Sequence, residues 1–239
     1  MAESFRVGVV GTGYVGLVTG TCLSHLGHRV VCIDRDEGRI SALKAARMPF
    51  HEPGLEELVS RSLEQQRLSF ADAGSLARLV GEAEVIFVAV DTPQGGDGSA
   101  DLSKVADVAR GIGWALARPE SPRRERPLVV VNKSTVPTGS GDYVSMLVRE
   151  GLEEAGSGEA NFLVASNPEF LREGSAIYDS LFPDRIVVGS ESREALDTLR
   201  VLYEPLIEQS FATELDPRPK VAVPFVTTDL ASAEMIKYA

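Results

Sequence analysis

Short apolar runs alternate with helix-forming segments along most of this chain, and that alternation limits its possible folds more than any other feature. Strands are predicted at residues 5–10, 29–33, 68–71, 85–90, 128–131, 162–165 and 185–188. Helices are predicted at residues 14–26, 37–46, 55–63, 102–116, 138–155 and 193–202, with one more ending near Leu79. Continuous Val/Ile-rich strands separated by helices are typical of a parallel sheet covered on both faces. The predicted fold class is therefore α/β: a doubly wound, mostly parallel sheet with helices on both faces.

The composition narrows the possible functions. The 239 residues include 24 Lys and Arg against 35 Asp and Glu, a formal charge of −11, and 44% of them are hydrophobic. This size suits one large domain, or one domain with part of a second. The acidic balance argues against binding to nucleic acid or to an anionic membrane surface. Because we find no signal peptide and no apolar run of about 18 residues, we expect a cytoplasmic location.

Cysteine and histidine give no sign of a metal site. Cys22 and Cys32 fall in a helical and a strand segment, and we expect both to be small buried residues rather than a disulfide or a metal pair. The three histidines are scattered, and the chain has no Cys-X-X-Cys pair. The sequence therefore predicts no metal.

A glycine-rich turn joins the first predicted strand to the first predicted helix, with the sequence Gly11-Thr12-Gly13-Tyr14-Val15-Gly16. In this context the first glycine permits a tight turn, the second lets the backbone approach a pyrophosphate, and the third lets the helix pack close to the strand. The N–H groups at the start of the helix are donors for phosphate oxygens. The pattern predicts a Rossmann-like dinucleotide site, and an ordinary strand-to-helix turn is the alternative.

An acidic residue at the end of the second predicted strand indicates which dinucleotide binds. Asp34 lies 18 residues past Gly16, where a carboxylate accepts both ribose hydroxyls of adenosine and repels a 2′-phosphate. NAD is therefore favoured over NADP, although the neighbouring Arg35 weakens that preference slightly. Arg39, one turn into the next helix, is expected to cover the adenine or to contact the ribose.

Hydroxyl residues follow two later strands at the same predicted sheet edge. Thr92 comes after the strand at 85–90, and Thr135 comes after the strand at 128–131 in a loop that also contains Lys133 and Ser134. Both threonines are candidates to face the cofactor or its nicotinamide end. The alternative is that they cap the helices that follow.

The most distinctive segment, residues 167–174, begins at the end of the strand predicted at 162–165 and reads Asn-Pro-Glu-Phe-Leu-Arg-Glu-Gly. We call it the Glu169 segment. It holds two carboxylates four residues apart with an arginine between them, and such charges are costly to bury in a core. Open α/β sheets bind ligands at this edge, so the segment is expected to present polar groups to a ligand. The alternative is a capped helix entry with solvated charges.

Together these motifs resemble the nucleotide-sugar dehydrogenase family, and the resemblance covers essentially the whole chain. The matching stretches are residues 11–16, 52–58, 133–137, 167–174 and 233–239. The resemblance implies NAD as cofactor and a nucleotide sugar as substrate, with UDP-glucose favoured and GDP-mannose or a UDP-N-acetyl sugar as alternatives. It also implies two successive oxidations of the sugar C6 alcohol, in which a cysteine captures the aldehyde and the thioester is hydrolysed.

The resemblance further implies roles for individual residues. Glu169 matches the general base that activates water, Thr135 matches a hydroxyl that helps to hold that water, and Lys237 matches a lysine that stabilises oxyanion charge. The implied NAD contacts are Gly11, Gly13, Tyr14, Val15, Gly16, Asp34, Arg39, Thr92, Thr135 and Glu173. The implied substrate contacts are Glu169, Phe170, Leu171, Arg172, Glu173 and Lys237.

Two departures from the family pattern set limits on these roles. Asp91 stands where the family usually has glycine or asparagine, and we expect its carboxylate to face solvent. The family's later cysteine and second domain are not matched, and neither Cys22 nor Cys32 takes that cysteine's place in the sequence. The chain is therefore expected to be the NAD-binding half of such an enzyme and inactive alone.

The resemblance also implies how the chain divides. Residues 1–225 would form the NAD-binding domain, and residues 226–239 would begin a central linking helix through which the full-length enzyme forms a homodimer or a larger oligomer. From the residues themselves, Thr227 or Thr228 is expected to cap this helix, with Asp229 in its first turn. Two alternatives stay open: a 6-phosphogluconate or hydroxyacid dehydrogenase, and a non-catalytic NAD-binding partner of a separate C-terminal chain.

Overall fold

The structure, a computed structural model, describes residues 3–96, 98–118, 125–157, 160–213 and 222–238. Eight strands form in these ranges: β1 (Arg6–Val10), β2 (Arg29–Asp34), β3 (Leu68–Asp72), β4 (Val85–Val88), β5 (Leu128–Asn132), β6 (Phe162–Ser166), β7 (Ile186–Gly189) and β8 (Phe225–Thr228). The helices described are α1 (Tyr14–His25), α2 (Glu37–Lys44), α3 (Leu55–Glu64), α4 (Leu76–Glu82), α5 (Ser103–Leu116), α6 (Ser140–Glu154), α7 (Ala176–Leu181), α8 (Arg193–Leu202), α9 (Glu204–Ile207) and α10 (Leu230–Ile236). A short 3₁₀ turn, Ala73–Ser75, precedes α4.

All eight strands belong to one sheet, in the order β3-β2-β1-β4-β5-β6-β7-β8. β1 to β6 pair in parallel, β7 is antiparallel to β6 through the pair Ser166 and Gly189, and β8 is parallel to β7. The strand order reverses between β1 and β4, and open α/β sheets bind ligands in the crevice at such a point. The predicted fold class, a Rossmann-like and mostly parallel sheet, is confirmed.

Two apolar cores lie on opposite faces of the sheet. One packs α1, α3, α7, α8 and α9 against side chains such as Val9 and Phe87, and the other packs α4, α5 and α6 against side chains such as Ile86 and Val130. Successive residues of one strand point to opposite faces, so a central strand buried on both sides must be apolar throughout. All four residues of β4 are buried, as that rule requires.

Three short elements were not predicted: α7, α9 and β8. β8 is an edge strand whose four residues are all partly or fully exposed, so its sequence lacks the apolar run that marks the central strands. The capping prediction beyond it was wrong. Asp229 itself is the N-cap of α10, because its carboxylate accepts the Ser232 N–H at 2.7 Å.

The predicted division of the chain at residue 225 stays a prediction. That position lies within β8, which pairs with β7 in the main sheet, while Ala239 lies outside the described residues.

Among the helices of the described residues, none is long and apolar enough to span a bilayer.

Candidate functional site

The turn between β1 and α1 has two positions, Gly11 and Gly16, where the backbone leaves room only for glycine. Gly11 has a φ of +103°, and a Cβ there would lie 2.4 Å from the Ala89 carbonyl oxygen. A Cβ on Gly16 would lie 2.0 Å from the Gly11 carbonyl oxygen. Gly13 is the N-cap of α1, and no described side chain caps this helix. The first-turn N–H groups of α1 are therefore available to an anion.

A groove of about 410 Å³ opens beside this turn, and we call it the dinucleotide groove. Four predicted cofactor residues line it: Gly11, Gly13, Asp34 and Arg39. Arg35 and Asp91, which were both discussed from the sequence, also line it. The walls formed by Leu76, Val108, Lys104 and Asp107 were not predicted, because these residues follow no motif and only the fold brings them beside the turn. Apolar walls, a carboxylate and a glycine-lined phosphate approach together fit an adenine dinucleotide.

The Asp34 carboxylate is held in place by the protein itself. Its Oδ2 accepts the Thr12 N–H at 2.7 Å and the Thr12 hydroxyl at 2.8 Å, and its Oδ1 accepts the Asp36 N–H at 3.0 Å. Burial alone would raise the pKa of Asp34, but these donors and the Arg39 guanidinium outweigh it, so the pKa lies below its ordinary value. Asp34 therefore stays anionic, which suits ribose hydroxyls and disfavours a 2′-phosphate.

Asp91 faces solvent, as the sequence predicted, and yet it also lines the dinucleotide groove. Its side chain is 71% exposed, and its Oδ2 lies 3.2 Å from Lys104 Nζ. Its Oδ1 would lie 3.2 Å from a Cβ on Gly13, so the carboxylate stands near the phosphate approach. The Lys104 ammonium partly offsets its negative charge there.

At the same sheet edge, beyond β6, Glu169 and Lys237 form an ion pair. Lys237 Nζ lies 2.6 Å from Glu169 Oε1 and 2.7 Å from the Glu169 carbonyl oxygen, and Glu169 Oε2 accepts the Leu171 N–H at 2.7 Å. The Glu169 side chain is only 9% exposed. Residues 68 positions apart thus form one charged pair, and the catalytic roles that the family resemblance implies for them stay predictions.

Thr135 lies beside this pair. A small cavity of about 10 Å³ is lined by Thr135, Glu169 and Lys237 among others, and that volume suits about one water molecule. The Thr92 hydroxyl donates to the Thr135 carbonyl oxygen at 2.6 Å. Neither threonine caps a helix, because α5 begins at Ser103 and the N-cap of α6 is Gly139, so the capping alternative is wrong.

Lys133 is a site residue that the sequence analysis did not select. Its ammonium donates to the Asn167 side-chain oxygen at 3.0 Å, and it lines the small cavity beside Glu169. Burial lowers the pKa of Lys133 to about 8, the nearby Lys237 acts in the same direction, and Glu169 opposes both. Lys133 could have been predicted as a site residue from its position, because it directly follows β5 in the loop that contains Thr135. We call Lys133, Thr135, Glu169 and Lys237 the Glu169 centre.

Glu234 fixes the helix that carries Lys237, and this role was not predicted. Its buried carboxylate accepts the Gly139 N–H at 2.6 Å and the Gly141 N–H at 2.7 Å, so it caps α6 from α10. Burial raises the pKa of Glu234 above its ordinary value despite these donors. One turn of helix separates Glu234 from Lys237, so this contact sets where the Lys237 side chain begins.

A larger cavity of about 380 Å³ opens on the other side of the Glu169 segment. Four predicted substrate residues line it, namely Glu169, Phe170, Leu171 and Arg172. Arg172 is held by Asp179 at 2.6 Å, and the Arg185 guanidinium lies 4.9 Å from the centre of the Phe170 ring. The segment is irregular up to residue 172, and α7 begins only at Ala176, so the helix-entry alternative is wrong for its first half.

The remaining predicted cofactor residues are not among those that line the dinucleotide groove. Tyr14 and Val15 contribute backbone to the first turn of α1, and Gly16 contributes its close packing. Thr92 meets Thr135 as described, and Glu173 is exposed and lines neither of the two large cavities. The cofactor contacts of these residues stay predictions.

A Rossmann-like sheet with this glycine turn and acid defines a dinucleotide-binding dehydrogenase domain. The family model described as "UDP-glucose/GDP-mannose dehydrogenase family, NAD binding domain" matches residues 5–207. The chain belongs to this family, and its cofactor is NAD. The alternative of a 6-phosphogluconate or hydroxyacid dehydrogenase is therefore wrong.

Individual relatives agree with the family model. The chain is 43% identical to UDP-glucose 6-dehydrogenase YwqF of Bacillus subtilis over 98% of its own length and 47% of that protein's. A UDP-glucose dehydrogenase structure from Pyrobaculum islandicum matches with a TM-score of 0.83 and 39% identity, covering 99% of this chain and 49% of that one. A GDP-mannose dehydrogenase structure from Pseudomonas aeruginosa matches with a TM-score of 0.82 and 33% identity, covering 98% and 48%. The chain spans about half the length of the curated relatives it matches.

Proposed function

We propose that this chain supplies the cofactor site and the proton-handling residues of an enzyme that oxidises UDP-glucose at C6. The overall reaction converts UDP-glucose, two NAD⁺ and water to UDP-glucuronate, two NADH and protons. The observation that supports it best is that Glu169, Lys237 and Thr135 lie together at the sheet edge that also holds the dinucleotide groove. The relatives named UDP-glucose 6-dehydrogenase support this choice of substrate.

In this proposal the groove holds NAD⁺ through three kinds of contact. The first-turn N–H groups of α1 bind the pyrophosphate, Asp34 accepts the ribose hydroxyls, and Leu76 and Val108 cover the adenine. When bound, NAD⁺ supplies the hydride acceptor for the oxidation. An anionic Asp34 makes NADP⁺ the weaker ligand.

The Glu169 centre handles the protons and the charge on oxygen. The Glu169 carboxylate accepts a proton from water in the small cavity, and Thr135 helps to orient that water. The Lys237 ammonium, 2.6 Å from Glu169, stabilises negative charge on the reacting oxygen. The larger cavity beside residues 169–172 receives part of the nucleotide sugar.

The aldehyde-capturing thiol is proposed to lie outside these 239 residues. Cys22 and Cys32 are buried, and burial raises the pKa of each thiol to about 12. Neither is a thiolate near neutral pH, and a thiolate is the nucleophilic form. A separate C-terminal chain that carries the cysteine remains the alternative to one continuous enzyme.

The test is a pair of measurements on the chain and on its Glu169→Gln variant. Calorimetric titration should give NAD⁺ binding in both proteins, with NADP⁺ at least about tenfold weaker. NADH formation with UDP-glucose and excess NAD⁺ should be absent from the chain alone. Sustained turnover by the chain alone would contradict the proposed need for an external thiol. Failure to bind NAD⁺ would contradict the proposal as a whole. Turnover with GDP-mannose but not with UDP-glucose would contradict both the need for an external thiol and the choice of substrate.

Assembly and location complete the proposal. We expect a homodimer or a larger oligomer through the helix that α10 begins, and a cytoplasmic setting. Sedimentation velocity over a range of concentrations would test the first, and fractionation of the source cells would test the second.

A further inference from the structure

A buried carboxylate joins the helix that starts at the glycine turn to the Glu169 segment. Glu52 is 4% exposed and precedes α3. Its Oε2 accepts the Tyr14 hydroxyl at 2.5 Å and the Gly174 N–H at 2.9 Å, and its Oε1 accepts the Ala176 N–H at 2.7 Å. One side chain thus connects three places that are distant in the sequence.

The backbone of Tyr14 lies at the glycine turn, and its side chain points toward Glu52 and the Glu169 segment. It is the first residue of α1, directly after the N-cap Gly13, so its backbone belongs to the proposed pyrophosphate contact. Its ring packs against Phe50 with 4.9 Å between the ring centroids, and its hydroxyl reaches Glu52 and, at 3.4 Å, the Arg172 carbonyl oxygen of the Glu169 segment. Tyr14, Phe50 and Glu52 are not among the residues that line the dinucleotide groove. A shift of the first turn of α1 must therefore move the Tyr14 ring or strain its bond to Glu52.

The Glu52 contacts are strong enough to carry such a shift. Burial alone would raise the pKa of Glu52, but the Tyr14 hydroxyl and the backbone N–H donors outweigh it, so the pKa lies below its ordinary value and the group stays charged. Hydrogen bonds to a charged acceptor are shorter and stronger than those between neutral groups. Gly174, whose N–H bonds to Glu52, has a φ of +86°, a left-handed backbone conformation that favours glycine.

We propose that Glu52 and Tyr14 are positioning residues that couple dinucleotide binding to the order of the Glu169 segment. NAD⁺ on the first turn of α1 fixes Tyr14, Tyr14 fixes Glu52, and Glu52 holds the end of the segment at Gly174. The inference rests on the proposed function, because it takes residues 11–16 as the NAD⁺ site and Glu169 as the base. Coupling of this kind is reciprocal, so loosening the end of the segment at Gly174 must also weaken NAD⁺ binding.

Hydrogen exchange with and without saturating NAD⁺ tests the coupling in this chain. In the parent protein, NAD⁺ should slow exchange at the amides of Gly174 and Ala176 by about tenfold. Tyr14→Phe removes the hydroxyl that reaches Glu52 and the Arg172 carbonyl oxygen, and it leaves the backbone bonds of Glu52 intact. The NAD⁺-dependent slowing should therefore fall below about twofold.

Tyr203→Phe is the matched control. It also removes one tyrosine hydroxyl bonded to the Glu169 segment, but Tyr203 follows α8 and its hydroxyl donates to Asn167 at 2.7 Å rather than to Glu52. This variant should exchange faster overall and keep the NAD⁺-dependent slowing. A purely structural role for Tyr14 would make the two variants behave alike, and that result would overturn the proposal.

Glu52→Gln provides the reciprocal measurement. The amide keeps one acceptor oxygen but turns an NH₂ group toward backbone donors, so the end of the segment should exchange fast in both states and NAD⁺ affinity should drop about threefold. Unchanged affinity in a folded Glu52→Gln protein would overturn the coupling, and Tyr14→Phe tests it if that variant does not fold. Binding of NAD⁺ without any slowing in the parent would overturn the coupling alone. Absence of NAD⁺ binding would overturn the proposed function with it.

Discussion

The dinucleotide groove and the Glu169 centre share one edge of the sheet but are built in different ways. The turn of the groove is made within residues 11–16 and is held by backbone sterics at Gly11 and Gly16. The Glu169 centre draws on residues 133–135, 169 and 237 and is held by charge, with a buried glutamate and two lysines. The turn of the groove is therefore a local backbone geometry, whereas the Glu169 centre forms only when distant parts of the chain come together.

This difference predicts how each region responds to change. A steric turn tolerates almost no added atom but is indifferent to pH. A buried cluster of charges tolerates changes of shape better than changes of charge, and its contribution to stability must vary with pH. The four predictions below test this contrast, from the largest expected effect to the smallest.

The largest effect is expected from Gly11→Ala. The added Cβ meets the Ala89 carbonyl oxygen at 2.4 Å at a φ of +103°, so we expect NAD⁺ binding to be lost and the free energy of unfolding to fall by about 4 kcal/mol. Gly27→Ala is the matched control, because Gly27 has a φ of +107° with no heavy atom within 4 Å of its Cβ position. It should cost about 1 kcal/mol and leave NAD⁺ binding intact. Urea unfolding and calorimetry measure both, and equal costs would refute a steric basis for the turn.

The next effect is a dependence of stability on pH at Lys133. Burial lowers the pKa of its ammonium from the ordinary value of 10.5 to about 8, so the unfolded chain binds more protons than the folded chain between these values. Stability must then rise with pH across that window. Relative to Lys133→Met, the parent's free energy of unfolding should gain up to about 3 kcal/mol between pH 8 and pH 10.5. A difference that stays flat across the window would show that the folded ammonium titrates normally.

How much of each region was predictable follows from the same contrast. The glycine turn and Asp34 lie within one strand-helix-strand unit, so the sequence pattern alone located them. The Glu169 segment and Thr135 were selected from their positions past two predicted strands. Their roles, and Lys237 itself, came from the family resemblance, because no local spacing links residues 68 positions apart. Lys133 and Glu234 were missed. Their roles depend on burial and on partners across the fold, which neither periodicity nor motif spacing encodes.

The same reason explains the errors in the fold. Central strands carry their own signal, since burial on both faces demands a continuous apolar run. β8 lies at the sheet edge and half of its residues are exposed, so its place depends on pairing with β7 rather than on its composition. The N-cap of α10 is Asp229 rather than Thr227 or Thr228, because both threonines belong to β8.

Lys237→Met should show what the ion pair contributes. It leaves the Glu169 carboxylate, whose side chain is 9% exposed, without its partner at 2.6 Å. We expect the free energy of unfolding to fall by about 2 kcal/mol. This loss is smaller than for a fully buried ion pair, because the Lys237 side chain is 23% exposed. In Glu169→Gln the same lysine change should cost much less, so a double-mutant cycle isolates the pair. NAD⁺ affinity should stay within about twofold throughout, because the pair does not line the groove. Additive costs in the cycle would show that the two charges do not interact.

The smallest effect is expected at Asp91, a charged residue in the groove whose turn is held by backbone sterics. Its carboxylate lies at the phosphate approach of a sterically built groove, is 71% exposed, and is paired with Lys104 at 3.2 Å. Asp91→Asn removes one negative charge and releases the lysine toward the dinucleotide, so NAD⁺ should bind about threefold more tightly at low salt, with unfolding changed by less than about 0.5 kcal/mol. Screening should shrink that gain in about 1 M salt. Lys104→Met is the control and should weaken binding instead. If Asp91→Asn weakened binding as well, the carboxylate would be a ligand contact rather than a repulsive neighbour, and charge would then matter in the groove as much as shape.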